Sequence, residues 1–173
     1  MRRLKVFVAT SVDGYIAARD GDVSWQFRDA DYGYEAFFAG IDTVLLGRRS
    51  YEVALAAERW PYPHRKTVVF TRGGDVNISS PDTVATSRLP ADVVTELRSR
   101  EGKDLWLVGG GTLVRDCLDA GLIDDVTVLI HPVILGAGTP LVAGGAIATG
   151  LALIAERRYP SGLVQLTYRV DRA

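Results

Sequence analysis

The stretch that decides the fold is Asp104-Leu105-Trp106-Leu107-Val108-Gly109-Gly110-Gly111-Thr112-Leu113-Val114-Arg115-Asp116-Cys117-Leu118-Asp119-Ala120. It opens with a short apolar run bounded by a charge and a glycine, the pattern of a strand buried on both faces. Three glycines follow. Residues 112–120 then read as a helix, closed by Gly121 in the position that tolerates a left-handed turn. Working outward, residues 4–10, 43–47 and 66–71 are similar bounded runs, and residues 30–40, 50–59 and 90–100 have helical character. Strand and helix in alternation imply right-handed crossovers and a largely parallel sheet. The end of the chain differs. Residues 126–134 form a long apolar run, and Val164, Leu166, Tyr168 and Val170 alternate with Gln165, Thr167 and Arg169. That alternation predicts an antiparallel strand at or near a sheet edge. The expectation is one α/β domain over residues 1–173. It has a mixed, mostly parallel central sheet, antiparallel C-terminal strands and flanking helices.

Composition narrows the function classes. The 173 residues suit one domain. Twenty Lys and Arg against 21 Asp and Glu leave a net charge of −1, which argues against a strongly electrostatic partner such as duplex DNA. The single cysteine, Cys117, excludes an intramolecular disulfide framework and suits a reducing compartment. Arg2, Arg3 and Lys5 precede an apolar run that ends by Asp13, so no signal peptide is read there. Residues 126–155 contain no Asp, Glu, Lys or Arg, yet Pro132, Pro140 and five glycines would break a membrane-spanning helix. A buried strand, a turn-rich loop and a covered core segment are expected there, in a cytoplasmic protein.

Open α/β sheets bind ligands at the carboxyl ends of their strands. Here those ends are Ala9-Thr10-Ser11-Val12-Asp13-Gly14, Gly47-Arg48-Arg49-Ser50, Thr71-Arg72-Gly73-Gly74 and Gly109-Gly110-Gly111-Thr112-Leu113. Glycines between a strand and a helix let the backbone approach a ligand, and the free N–H groups of the helix start bind phosphate oxygens. Close strand–helix packing is the alternative reading. The spacing departs from G-x-G-x-x-G at Val114, and no G-x-x-x-x-G-K-[ST] occurs. Arg48, Arg49 and Arg72, if their strand ends adjoin, would surround one extra phosphate and favour NADPH over NADH. Ordinary surface arginines are the alternative.

No metal site is expected, because His64, His131 and Cys117 are too few and too scattered. His131, before Pro132 in an apolar strand, reads as a packed core histidine. Asp13, Asp29, Asp31 and Glu35 are the carboxylates near the expected cleft. Each is either a helix cap or a group that holds substrate or relays a proton. Trp25, Tyr32, Tyr34, Phe37 and Phe38 supply core with one or two ligand contacts among them.

Four motifs in this order resemble the dihydrofolate-reductase-like superfamily. They are Ser11-Val12-Asp13-Gly14-Tyr15-Ile16-Ala17, Leu46-Gly47-Arg48-Arg49-Ser50-Tyr51-Glu52, Leu107-Val108-Gly109-Gly110-Gly111-Thr112-Leu113 and Pro132-Val133-Ile134-Leu135-Gly136-Ala137-Gly138-Thr139-Pro140-Leu141. The nearest branch is the C-terminal reductase domain of bifunctional riboflavin-biosynthesis deaminase-reductases. The resemblance implies NADPH and frequently a homodimer. It implies that Ala9 and Ile16 contact the nicotinamide end and that Gly47, Arg48, Arg49 and Ser50 hold the pyrophosphate and 2′-phosphate. Thr71 and Arg72 would lie beside the adenosine, and Val108, Gly109, Gly110, Gly111, Thr112 and Leu113 would form the second phosphate-binding turn. Asp13 and Trp25 fall on the substrate side, and Asp31 stands at about the spacing of the acid of dihydrofolate reductases. Two departures separate the chain from the folate enzymes: Ile130 stands nearest their late-strand threonine, and Val23-Ser24-Trp25 replaces Leu-Pro-Trp. No zinc-bearing deaminase half is expected within these residues. The resemblance therefore implies hydride transfer from NADPH to a ribosylaminopyrimidine or another small heterocycle. Dihydrofolate reduction and an NADP-binding regulatory module without turnover are the alternatives.

Overall fold

The computed structural model describes residues 1–73, 76–145 and 147–171. Among them the strands are β1 (Leu4–Ser11), β2 (Tyr15–Ala18), β3 (Ile41–Gly47), β4 (Lys66–Phe70), β5 (Thr83–Thr86), β6 (Asp104–Gly109), β7 (Asp125–His131), β8 (Gly138–Pro140), β9 (Leu151–Arg158) and β10 (Val164–Val170). The helices are α1 (Tyr34–Ala39), α2 (Arg48–Leu55), α3 (Pro90–Arg98) and α4 (Gly111–Asp119). The main sheet has the order β5-β4-β3-β6-β1-β7-β10-β9, and β2 pairs with β8 in a small second sheet. From β5 to β7 all neighbours are parallel. β10 runs antiparallel to both β7 and β9. The mixed sheet is thus the one the alternation predicts.

Side chains leave the central strands alternately to two covered faces. On one, Leu4, Val6, Leu45, Leu105 and Leu107 meet Val93, Val94 and Leu97 of α3 and Leu113, Val114 and Cys117 of α4. On the other, Val44, Leu46, Val69 and Trp106 meet Tyr51 and Ala54 of α2 and the aromatic face of α1. Each fully buried Leu or Val contributes about 1.5–3 kcal/mol of transfer free energy. Cys117 is fully buried, and burial pushes its thiol pKa up to about 12.

The amino ends of the strands are joined by charge. Arg2 is buried and donates to Asp42, to Thr43 Oγ1 at 2.8 Å, and to the carbonyls of Leu97 at 3.1 Å and Lys103 at 2.6 Å. Arg3 pairs with Asp125 at 2.5 Å, Lys5 with Asp104 at 2.7 Å and Arg98 with Asp124 at 2.6 Å.

Two expectations change. The helix read over residues 30–40 starts only at Tyr34, because Tyr32 and Gly33 take left-handed φ of 54° and 81°. The covered core segment expected before residue 155 is instead the start of β9, all eight residues of which are exposed. β9 is the outermost strand and pairs on one side only, so its uncharged Leu151–Ala155 portion faces solvent.

Candidate functional site

At the carboxyl end of the sheet, neighbours β3 and β6 stop at Gly47 and Gly109. A Cβ on Gly110 would stand 3.5 Å from Ser50 Oγ and 3.9 Å from Gly47 Cα, and one on Gly47 would stand 3.7 Å from the Gly109 carbonyl. The starts of α2 and α4 therefore adjoin. Gly109 and Gly110 take φ of +141° and +93°, conformations that exclude most side chains. Neither helix start carries a side-chain cap, so first-turn N–H groups remain for a ligand. Gly111 has a different reason. A Cβ there would meet the Pro140 carbonyl at 2.6 Å, and Ala143 N–H donates to the Gly111 carbonyl at 3.1 Å. Its small size lets the segment after β8 dock on α4.

The other residues predicted at the cofactor take varied positions. Ile16 on β2 comes within 4.0 Å of where a Gly109 Cβ would be, and Ala9 sits opposite Leu129 on the β1–β7 ladder. Leu113 points into the core and Val108 packs against the second core face, so these two offer backbone rather than side chain. Thr112 is half-buried in the first turn of α4. Arg48 pairs with Glu52 at 2.9 Å, and Arg49 is exposed beside it. β4 adjoins β3, bringing Thr71 and Arg72 to the neighbouring strand end. Thr71 Oγ1 donates to the Gly73 carbonyl at 3.2 Å, and Arg72, 80% exposed, reaches Asp116 of α4 at 3.7 Å. Gly74 lies outside the described residues.

On the predicted substrate side, Asp13 serves as a clamp. Its carboxylate accepts from Ser11 Oγ at 2.6 Å and from the N–H groups of Leu135 and Gly136 at 3.1 and 2.7 Å. The Ser11 bond leads in holding its pKa below the usual carboxylate value. Asp31 is exposed and accepts from Gly33 and Glu35 N–H, each at 2.9 Å, capping α1. Trp25 stands edge-on to His131 with ring centroids 5.4 Å apart.

Beside Asp29 and Tyr32, which the sequence offered as candidates near the cleft, residues that it did not single out for chemistry gather nearby. His131 is buried at the end of β7, opposite Ser11 of β1. Tyr32 donates to Asp29 and lies 3.3 Å from Ser161 Oγ, and Tyr159 donates to Gln165 at 2.8 Å. The available signal was alternation: Asp125, Thr127, Leu129 and His131 of β7 share one face.

A hollow of about 430 Å³ opens at the opposite, amino end, lined by Arg2, Arg3, Asp124, Arg169 and Asp171 among others. Arg2, Arg3 and Asp124 are already engaged in the ion pairs described above. The carboxyl end, with its open helix starts, is the candidate site.

These features define a class: a three-layer α/β fold whose mixed sheet presents two glycine-lined helix starts at its carboxyl edge. The chain belongs to the RibD C-terminal domain family, whose model matches residues 2–164. Two Bacillus subtilis (strain 168) relatives, the uncharacterized proteins YyaP and YwjB, are 32% and 33% identical, each over 96% of this chain and 94% and 97% of their own. Among solved structures, a protein from Shewanella sp. PV-4 provisionally assigned to riboflavin biosynthesis superposes with TM-score 0.86 at 26% identity, over 98% of this chain and 99% of that one. The Thermotoga maritima diaminohydroxyphosphoribosylaminopyrimidine deaminase/5-amino-6-(5-phosphoribosylamino)uracil reductase shares the fold at TM-score 0.74 and 13% identity, over 98% of this chain and 57% of that longer one. Among the described residues, no helix is long and apolar enough to cross a membrane.

Proposed function

We propose that this chain is an NADPH-dependent reductase that delivers hydride to a small heterocyclic or ribosylaminopyrimidine substrate. One observation carries the reading: the uncapped starts of α2 and α4 meet at Gly47 and Gly110, with the Ser50 hydroxyl at their seam. That seam offers the backbone donors that a pyrophosphate takes. Backbone N–H groups there bind anionic oxygens, assisted by the positive ends of two helices. Arg48 and Arg49 at the same start supply guanidiniums for a 2′-phosphate, and Arg72 can swing to it from its exposed position. Ala9 and Ile16 flank the place for a nicotinamide ring. When bound, NADPH supplies the hydride. The chain holds the acceptor carbon against it and excludes water, so positioning is the main source of rate.

The proton we assign to Asp31 or to water. Donation by Asp31 requires its carboxylate to leave the two N–H groups that it caps, and Asp31→Asn separates the two. Turnover with Asp31→Asn far below wild type fits the acid; an unchanged pH profile removes it. The deciding assay is NADPH oxidation on 5-amino-6-(5-phosphoribosylamino)uracil and, separately, on dihydrofolate. Oxidation of NADPH with the pyrimidine alone supports the reading. Oxidation with dihydrofolate alone replaces it with a folate reductase. Binding of NADPH with no turnover on either replaces it with a regulatory module.

We also place a homodimer contact on β9. An exposed edge strand carrying Leu151, Leu153 and Ile154 is ready to pair with another strand, and a second copy offers the same edge. Sedimentation velocity is expected to show a dimer, and Leu153→Lys a monomer. A wild-type monomer at tens of micromolar removes this contact.

A further inference from the structure

His131 is nearly fully buried, yet its Nε2 meets no hydrogen-bond partner among the described residues. Its Nδ1 lies 3.0 Å from the Leu129 carbonyl. A carbonyl oxygen can only accept, so Nδ1 carries the proton and Nε2 presents a bare lone pair. Burial is the main cause that lowers the His131 pKa. It outweighs the Leu129 and Thr10 carbonyls and the Asp29 charge, which favour protonation. The ring is therefore a neutral acceptor near neutral pH. Leaving a buried acceptor unmade costs about 1–3 kcal/mol, so a fold keeps one where something else satisfies it.

The surroundings say what that is. The β1 partner of His131 is Ser11, the residue that holds Asp13 in the turn beyond. The rings against it are Trp25, edge-on at 5.4 Å, and Phe27, tilted at 5.1 Å. Both come from a segment without helix or strand between β2 and α1, and Phe27 is 37% exposed. Trp25 is held lightly, its indole N–H donating to the Asp22 carbonyl at 3.2 Å. A buried lone pair thus lies beneath two aromatic rings on an irregular surface segment, beside the strand that carries Ala9. The neighbouring Ile130 pairs with Thr10, so it alternates to the other face of the sheet.

We propose that His131 Nε2 is the hydrogen-bond acceptor that orients the substrate ring, and that Trp25 and Phe27 are the cover that parts to admit it. The proposal rests on the reductase reading and deepens it. A bare imidazole lone pair selects a ring N–H or amino group and disfavours a carbonyl or phosphate at that point. The substrate class is then a heterocycle that presents a donor edge, such as an aminopyrimidine.

The chain has two histidines, and the other, His64, is exposed, so isotope-labelled histidine gives two imidazole signals with an internal control. With NADP⁺ present, 5,6-diaminouracil is the probe. It is expected to shift the His131 Nε2 resonance in the direction of an accepted hydrogen bond and leave His64 unmoved. By calorimetry, His131→Phe is expected to bind this probe about tenfold more weakly, the worth of one hydrogen bond. His131→Gln, whose amide reaches the ε position, is expected to recover most of the loss. Equal affinity for wild type and His131→Phe, a bound probe that leaves Nε2 unmoved, or no probe binding by wild type each overturns the proposal. If His131→Phe does not fold, the resonance shift in wild type decides alone. NADPH titrated by itself separates the two readings: wild type that binds no NADPH defeats the reductase, whereas NADPH bound equally by wild type and His131→Phe leaves only the histidine in question.

Discussion

The two ends of the sheet are built on opposite principles. At the amino end, Arg2, Arg3, Lys5 and Arg98 reach Asp42, Asp125, Asp104 and Asp124, tying β1, β3, β6, β7 and α3 together. At the carboxyl end, β3 and β6 stop at Gly47 and Gly109, and the helices that follow them begin without caps. One end satisfies its polar groups internally; the other leaves its donors for a ligand. On the proposed reading, stability and binding fall at opposite edges, and substitutions should sort accordingly.

The largest effect is expected from Arg2→Ala. It takes the guanidinium from Asp42, which keeps Thr43 Oγ1 and the Lys103 N–H, and from the Leu97 carbonyl, which keeps the Arg100 N–H, and it leaves the Lys103 carbonyl without its donor, at a cost of about 3 kcal/mol, read by urea unfolding. NADPH affinity of the folded fraction should not change. A loss under 1 kcal/mol would erase the contrast from the stability side. Next comes the double variant Arg48→Ala with Arg49→Ala. It should weaken NADPH by about 10–100-fold, the worth of one charge-assisted bond, with NADH nearly unaffected and unfolding unchanged within about 0.5 kcal/mol. Equal losses for both nucleotides, measured by calorimetry, would show that these arginines do not read the 2′-phosphate. Gly110→Ala should do both jobs partially. Its φ of +93° makes a Cβ strained by about 1–2 kcal/mol, and the methyl group enters the seam beside Ser50. Weaker NADPH binding with lower thermal stability is expected; unchanged binding would move the pyrophosphate elsewhere.

The smallest effects are in pH. Burial alone would raise the Asp104 pKa, but the Lys5 ammonium and the Arg3 N–H override it and hold the group below 3.8. A depressed carboxylate stabilises the fold above its unfolded value and loses that contribution as pH falls through the folded one. Unfolding midpoints should therefore decline below about pH 4, and less so in Asp104→Asn. His131 adds a separate slope at higher pH. Its lowered value means that the unfolded chain takes up the proton first, so stability falls as pH drops below 6.5. His131→Gln should flatten that slope.

What was legible in the sequence follows the same division. Strands β1, β3, β4, β6 and β7 were readable because both of their faces are covered, which makes each a bounded apolar run. The glycine turn at Gly109–Gly111 was readable because three glycines between strand and helix have few structural explanations. β9 was misread because an uncharged stretch says nothing about whether anything covers it. β2 and β8 were missed because their pairing joins Tyr15 to Pro140, a contact set by loops far apart in the chain. Asp31 and Asp13 were visible as carboxylates near a cleft, but their caps and clamps depend on backbone N–H groups that spacing does not place. His131 reads as core in sequence, and its burial agrees. Only the register Ser11 to His131 puts its free nitrogen beside the candidate site.

Cys117 gives the molecule a clock. It is the chain's single thiol, fully buried among α4, α3 and the sheet, with its ionisation pushed far above neutrality. The thiolate is the form that reacts with disulfide reagents, so the native state is inert to them. Reaction must wait for α4 to leave the sheet. The rate at which an excess of reagent labels the protein therefore counts openings of the layer that carries Gly111 and the proposed second phosphate-binding turn. Slower labelling with a dinucleotide present would report, without any substrate, how strongly the ligand closes that layer.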